Sequence, residues 1–338
     1  MIRARVALVA LGLVAATFVP GSAPAAAPVR QNVTFSVTNP LAPLHTWTIH
    51  GVMIRPTAGC SRGVLLAMHG LSYGKWAWDF PLRPETYSVA QALAARGYAM
   101  VAVDRLGYGD SAGGVPNGYT LTVQSYAQMA YQMIRQLRTG TYGGASPVAF
   151  SHVGLIGHSA GSEVVELTAG LHPGAADVLI ATGYTHEPFV NNFWLAREWV
   201  QDNRRALLHD YEYFETNPTI RAQDMYNLAN ADADVVGLDN SKANLTPSGE
   251  VFSIGSQPSR WLIGTIQKPV LLVLGAKDTL FPGKFGQSEL ALFVLAQDKK
   301  LIVAPNDGHA FMLQRDAQVT DSAIADWLDS HNAQLPKC

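Results

Sequence analysis

Six short, almost wholly apolar runs recur along this chain, at residues 63–68, 98–103, 153–156, 178–181, 270–274 and 301–304. Each is too short for a buried helix and is bounded by Gly, Pro, Asp or Asn, the pattern of strands buried on both faces. Between them lie stretches with helical spacing. Residues 84–96 stop at Gly97, 122–138 end before Gly140, 159–171 are closed by Pro173 and Gly174, and 316–330 come last. Glycine just past a periodic run is a stop signal because it accepts the left-handed backbone of a helix end. Strand and helix alternating at this rhythm predict an α/β fold, a mostly parallel sheet with helices on both faces. Upstream, residues 33–37 and 46–55 alternate like two antiparallel strands, with Pro40 and Pro43 between them.

The N-terminus follows other rules. Arg3 and Arg5 precede an apolar run from 6 to 19, then Pro20, Gly21 and small residues through Ala27. That order is expected of a secretory signal peptide, and the run is short for a membrane span, which needs about 17–25 residues. Cleavage after Ala25, in Ala23-Pro24-Ala25, is expected, with Ala25-Ala26-Ala27 as a competing site. It would leave residues 26–338 as one exported, soluble domain without a membrane span. In an oxidising compartment Cys60 and Cys338, the only 2 cysteines, could form one bridge. Two cysteines cannot build a four-ligand zinc site, and a net charge of −2 offers no footprint for nucleic acid. A 48% apolar composition excludes disorder.

One segment breaks the rhythm. Residues 185–268 contain no clear buried strand but carry Phe189, Phe193, Trp194, Trp199, Tyr211, Tyr213, Phe214 and Tyr226. That is too long for a plain connection, and it reads as a cap inserted into the main domain. Residues 191–216 look helical; 235–258, rich in Asp, Asn, Ser, Gly and Pro, look loop-like.

The chemistry concentrates where apolar runs end. Gly157-His158-Ser159-Ala160-Gly161 lies between a strand-like run and a helix. Small residues two before and two after permit a sharp turn that projects the serine, and the helix N-terminus favours developing negative charge. A serine hydroxyl needs a base. His309 follows the last apolar run, and Asp278 follows the run at 270–274. With Ser159, Asp278 and His309 in that order at three strand ends, the chain resembles the α/β-hydrolase superfamily over most of its length. By that resemblance His69-Gly70-Leu71 supplies one oxyanion amide, so the backbone N–H groups of Leu71 and Ala160 are expected to hold the oxyanion. Glu187, after the run at 178–181, is the rival acid, because some relatives draw theirs from that strand end. The Gly-rich turn from Asp104 to Ser111 resembles a structural family turn. His69 and His158 read as motif-shaping residues.

A serine in place of the aspartate nucleophile of some relatives points to acyl transfer to water, with ester, lactone, thioester and amide substrates open. An acyltransferase with the same triad, or a silent binding protein on this fold, are the other readings. Tyr73, Trp76, Phe281, Phe311 and Met312 beside the motifs, with Phe189 and Trp194 in the cap segment, suggest a pocket for a hydrophobic, moderately bulky small-molecule ester. About half of such residues are expected simply to pack the core. No metal and no organic cofactor are expected.

Overall fold

The described chain begins with a long hairpin, β1 (Val29–Asn39) and β2 (Ala42–Arg55), in which Val33 stands opposite Gly51. On β1 the residues Val33, Phe35 and Val37 are buried and the intervening ones are more exposed, the period-two signature of a strand with one wet face. The computed structural model describes residues 27–57, 61–113, 117–187 and 212–331. The signal-like residues 1–25, Cys60, Cys338, Phe189 and Trp194 lie outside these.

After the hairpin come β3 (Val64–Met68), β4 (Ala99–Val103), the short β5 (Gly143–Gly144), β6 (Val153–His158) and β7 (Leu179–Thr182). A two-residue pair follows, β8 (Tyr213–Phe214) and β9 (Thr246–Pro247), and then β10 (Val270–Gly275) and β11 (Lys299–Ala304). Nine of these form one sheet in the order β11-β10-β7-β6-β3-β4-β2-β1-β5. From β11 to β4 every neighbouring pair is parallel; β2, β1 and β5 join antiparallel. All residues of β3, β4, β6, β7 and β10 are buried, as strands covered on both faces must be.

The helices are α1 (Pro84–Tyr87), α2 (Val89–Ala95), α3 (Val123–Thr139), α4 (Ala160–Leu171), α5 (Pro218–Met225), α6 (Ala233–Ser241), α7 (Ser248–Ile254), α8 (Gly286–Leu292) and α9 (Ala317–His331). One apolar cluster, with Leu93, Phe311 and Trp327, packs on one side of the sheet. A second, with Phe35, Met129 and Val164, packs on the other. No helix among the described residues is long and apolar enough to cross a membrane.

Three expectations are corrected. The run at 301–304, expected to be buried on both faces, is the edge strand β11, whose Val303 is 39% exposed. The single helix expected over 84–96 is two, because Ser88 leaves helical geometry (φ −110°, ψ 100°) and its side chain caps α2 by accepting from Gln91 N at 3.1 Å. The loop expected over 235–258 holds α6, β9 and α7. Key polar residues in it do not face water: Asp239, Ser248 and Glu250 are each 0% exposed. Buried partners replace solvent there, and composition cannot report that. Most of the helix expected over 191–216 lies outside the described residues; Tyr213–Phe214 within it is a strand paired with Thr246–Pro247.

Candidate active site

Ser159 stands alone between β6 and α4 with φ 54° and ψ −125°, a conformation that costs a non-glycine residue energy and needs support around it. The flanking glycines show why the turn is possible. A Cβ on Gly157 would sit 2.3 Å from Gly161 O, and one on Gly161 would sit 2.2 Å from Met68 O. The turn is strapped to the end of β7: Ser159 N donates to Thr182 O at 2.8 Å, and Ser162 Oγ donates to the same oxygen at 2.8 Å. Ser159 thus lies at the carboxyl end of the parallel strands, where open α/β sheets place their ligands.

His309 follows β11, in a loop held by a hydrogen bond from Ala310 N to Met225 O at 2.7 Å. Its Nδ1 is 2.8 Å from Asp278 Oδ2, and both side chains are fully buried. The other oxygen of Asp278 accepts from the backbone N–H groups of Leu280 and Phe281, at 2.8 and 2.9 Å. This carboxylate is therefore fixed before it meets the imidazole. Among the described residues His309 Nε2 is buried and takes no hydrogen bond. The His309 ring lies 4.7 Å from that of His158, the residue just before Ser159. Glu187 is elsewhere: it is half-exposed and pairs with Arg260 at 2.9 Å. The structure joins His309 to Asp278.

The other two histidines of the site are held neutral. His69 Nδ1 faces Gly70 O at 2.8 Å while Nε2 accepts from Arg105 N at 3.1 Å, which fixes one tautomer. Burial first, then the Arg105 charge, holds its pKa well below the ordinary value. His158 contacts Thr182 Oγ1 through Nδ1 at 3.1 Å. Its burial, then the neighbouring His309 and His69 rings, push its pKa well down as well. Of the three imidazoles, only that of His309 rests on a carboxylate.

Leu71 and Ala160 are buried at 5% and 0% exposure, on the loop after β3 and at the first position of α4. The loop turns at Ser72, which has φ 62°. A Cβ on Gly70 would come within 3.0 Å of Ser159 Cβ, so the loop lies directly against the serine. Residues 212–268 hold it there. Ser72 N donates to Thr246 Oγ1 at 3.1 Å, Asn244 N to Ser72 O at 2.7 Å, and Asn244 Nδ2 to Tyr73 O at 2.9 Å. Arg221, stacked 4.5 Å over the Tyr73 ring, forms a buried ion pair with Asp239. A second buried pair, Arg105 with Glu250, joins the loop after β4 to α7. Asp104 accepts from Lys75 N at 2.7 Å and Asp110 N at 3.0 Å, a structural use of that carboxylate.

Aromatic rings wall the site. Phe281 lies 5.6 Å from His309, Phe311 6.0 Å from His158, and Tyr73 5.4 Å from Trp76 and 5.9 Å from His158. Tyr73, Phe281, Phe311 and Met312 all belong to one buried apolar cluster, against which the partly buried Trp76 packs. A cavity of about 320 Å³ lined by His172, Leu179 and Lys268 opens at the opposite ends of the strands, away from Ser159.

The Alpha/beta hydrolase family model matches residues 64–322. The chain belongs to that family. This hydrolase is similar to an esterase from Thermogutta terrifontis, at 15% identity and TM-score 0.64, over 88% of this chain and 99% of that one. It is similar to an esterase from Exiguobacterium antarcticum, at 16% identity and TM-score 0.62, over 88% and 99% of the two chains. A monoacylglycerol lipase from Paleococcus ferrophilus aligns at 16% identity and TM-score 0.59, over 84% and 99%. At these identities the likeness is one of fold. No curated protein matches the sequence of this hydrolase. Sequence reasoning missed Arg221, Asp239, Asn244, Thr246 and Glu250, because a residue that braces a loop from a distant segment leaves no local pattern.

Proposed function

We propose that the chain is a secreted serine hydrolase that cleaves carboxylic esters of a hydrophobic, moderately bulky alcohol or acid through an acyl-enzyme on Ser159. The observation that carries this reading is the buried 2.8 Å contact between His309 Nδ1 and Asp278 Oδ2, which leaves His309 Nε2 free beside the Ser159 turn. Asp278 holds the ring with its proton on Nδ1 and stabilises the charged form. His309 Nε2 takes the Ser159 proton as Oγ bonds to the ester carbonyl carbon. The carbonyl oxygen becomes an oxyanion held by the N–H groups of Leu71 and Ala160, and loss of one such donor costs about 2.7–4 kcal/mol. Collapse expels the alcohol, which receives the proton from His309. Water then gives a proton to His309 as it attacks the acyl carbon; collapse releases the acid, and His309 returns that proton to Ser159 Oγ.

No resident metal or organic group is required by these steps. The substrate class rests on the aromatic wall of Tyr73, Trp76, Phe281 and Phe311. Export rests on the order of charged, apolar and small residues in 1–25. The deciding experiment is an ester panel on the purified protein with Ser159→Ala as control, together with organophosphonate labelling. Aryl and medium-chain acyl esters should turn over, and the label should be found on Ser159. Turnover that survives Ser159→Ala overturns the reading; acyl transfer to added glycerol in preference to water would make the protein an acyltransferase.

A further inference from the structure

Behind the nucleophile turn, away from the steps just derived, three carboxylates and one imidazole meet out of contact with solvent. Glu163 and Glu166 lie one turn apart on α4, His186 follows β7, and Glu289 lies on α8; all four are 0% exposed. Glu289 holds His186 twice, with Oε2 accepting from the backbone N–H at 2.7 Å and Oε1 lying 2.7 Å from Nδ1. The opposite ring nitrogen, Nε2, is 2.8 Å from Ser259 Oγ and 3.9 Å from Glu166 Oε2. Ser259 Oγ is also 3.4 Å from Glu166 Oε2.

The acceptors in this cluster outnumber the donors. Among the described residues Glu166 Oε1 takes no hydrogen bond, Glu163 faces the Tyr184 hydroxyl and Ser259, and no lysine or arginine pairs with any of the three carboxylates. Bare carboxylates in a dry interior are strongly unfavourable unless positive charge or protons compensate them. Glu166, His186 and Glu289 each place a donor atom within 4.8 Å of the others. A histidine whose Nδ1 rests on a carboxylate while Nε2 lies 3.9 Å from a second one shares the arrangement of metal-binding histidines.

We infer that this cluster is a structural site for a divalent cation of the zinc type, bound by Glu166 and by Nε2 of His186. Glu289 orients the imidazole from its Nδ1 side. Mixed nitrogen and carboxylate donors suit zinc better than calcium, which takes six to eight oxygens. The ion would tie α4, which starts at the residue after Ser159, to α8 and to the segment leaving β7. The sequence offers no spacing motif for such a site, because its residues come from positions 166, 186 and 289. That is why an absence of metal was expected from spacing alone.

The test uses the full purified protein. Elemental analysis after gel filtration is expected to find about one zinc per chain. EDTA should lower the melting temperature and Zn²⁺ should restore it. Co²⁺ added to the EDTA-treated protein should give visible absorption bands of a low-coordinate nitrogen and oxygen site. Glu166→Gln should lose the zinc, the bands and the EDTA response together. Protein that carries no zinc, shows no Co²⁺ bands and melts alike with Zn²⁺ or EDTA overturns the site and leaves the carboxyls holding protons. Restoration by Ca²⁺ but not by Zn²⁺ overturns the zinc assignment. A folded Glu166→Gln with undiminished zinc overturns the ligand set. The wild-type metal content and Co²⁺ spectrum stand even if that variant fails to fold.

Discussion

Arg221 Nε donates to Ser72 Oγ at 3.0 Å, so a residue of α5 holds the loop that lies against Ser159. The same guanidinium meets both Asp239 and Asn240 on α6 and covers the Tyr73 ring. It thereby joins two helices of the 212–268 segment to the loop after β3. Ser72 needs such a hold, because a serine at φ 62° gains nothing from its own backbone preference. In the proposed reaction this segment sets the geometry of the oxyanion site as well as covering the substrate.

Arg221→Met removes that hold and strands the Asp239 carboxylate, which is 0% exposed. Breaking a buried pair from one side costs about 3–5 kcal/mol, and denaturant unfolding should show a loss of that size. Adding Asp239→Asn should return most of it. Turnover of an aryl ester by the folded double variant should still fall, by up to about 10²-fold, since Ser72 stays unanchored. Full activity in the double variant would refute the positioning role.

Asp278→Asn keeps the shape of the side chain but removes the negative charge that fixes the His309 tautomer. Its kcat should drop by on the order of 10⁴-fold, the size seen for the equivalent change in other triads. Glu187→Gln affects only the half-exposed pair with Arg260, a contact of the kind worth about 0–1 kcal/mol, and should leave kcat nearly unchanged. Steady-state kinetics on the two variants side by side decide the acid.

The glycines separate two kinds of site. Gly161→Ala would drive a methyl group to 2.2 Å from Met68 O and 2.6 Å from His69 O, both backbone atoms that cannot step aside. Activity should fall sharply, through displacement of Ser159 and of the loop after β3. Gly237, inside α6, has nothing within 4 Å of an added Cβ. Gly237→Ala should stabilise by about 0.5–1 kcal/mol, read as a rise in melting temperature of roughly 1–4 °C. No gain there would mean that the helix is not formed in solution.

Much of this molecule was legible in its residues, for reasons that differ by region. Both-face burial writes itself as unbroken apolar runs, so β3, β4, β6, β7 and β10 could be read directly, as could the glycine-framed turn at Ser159 and the strand-end places of Asp278 and His309. The segment 235–258 was misread because Asp239, Ser248 and Glu250 are satisfied by distant partners rather than by water. Buried polar pairing has no period. The same reason hid Arg221, whose partners stand at positions 72, 239 and 240, and the cluster around His186. Apolar residues near the motifs were easy to find, but Tyr73, Phe281, Phe311 and Met312 prove to be core members, of which the three rings also wall the site.

Asp307, two residues before His309, gives the stability of the fold a pH dependence. Its carboxyl is 0% exposed and accepts from Thr320 Oγ1 at 3.2 Å and Asn230 Nδ2 at 3.3 Å. Burial first, then the neighbouring Asp316, pushes its pKa up to about 8. In the unfolded chain the same group titrates near 3.9. Between those values the folded protein keeps a proton that the unfolded chain has released, so the folded state binds more protons and stability falls as pH rises from about 4 to about 8. Asp321, raised by burial, bends the curve in the same direction. The contribution of Asp307 is therefore read as a difference. Asp307→Asn cannot ionise and retains a hydrogen-bonding oxygen. Its urea midpoint, compared with that of the wild type at pH 5 and at pH 8, should fall less steeply. Parallel declines in the two proteins would show that Asp307 ionises without cost, and the buried, proton-holding account of this residue would then fail.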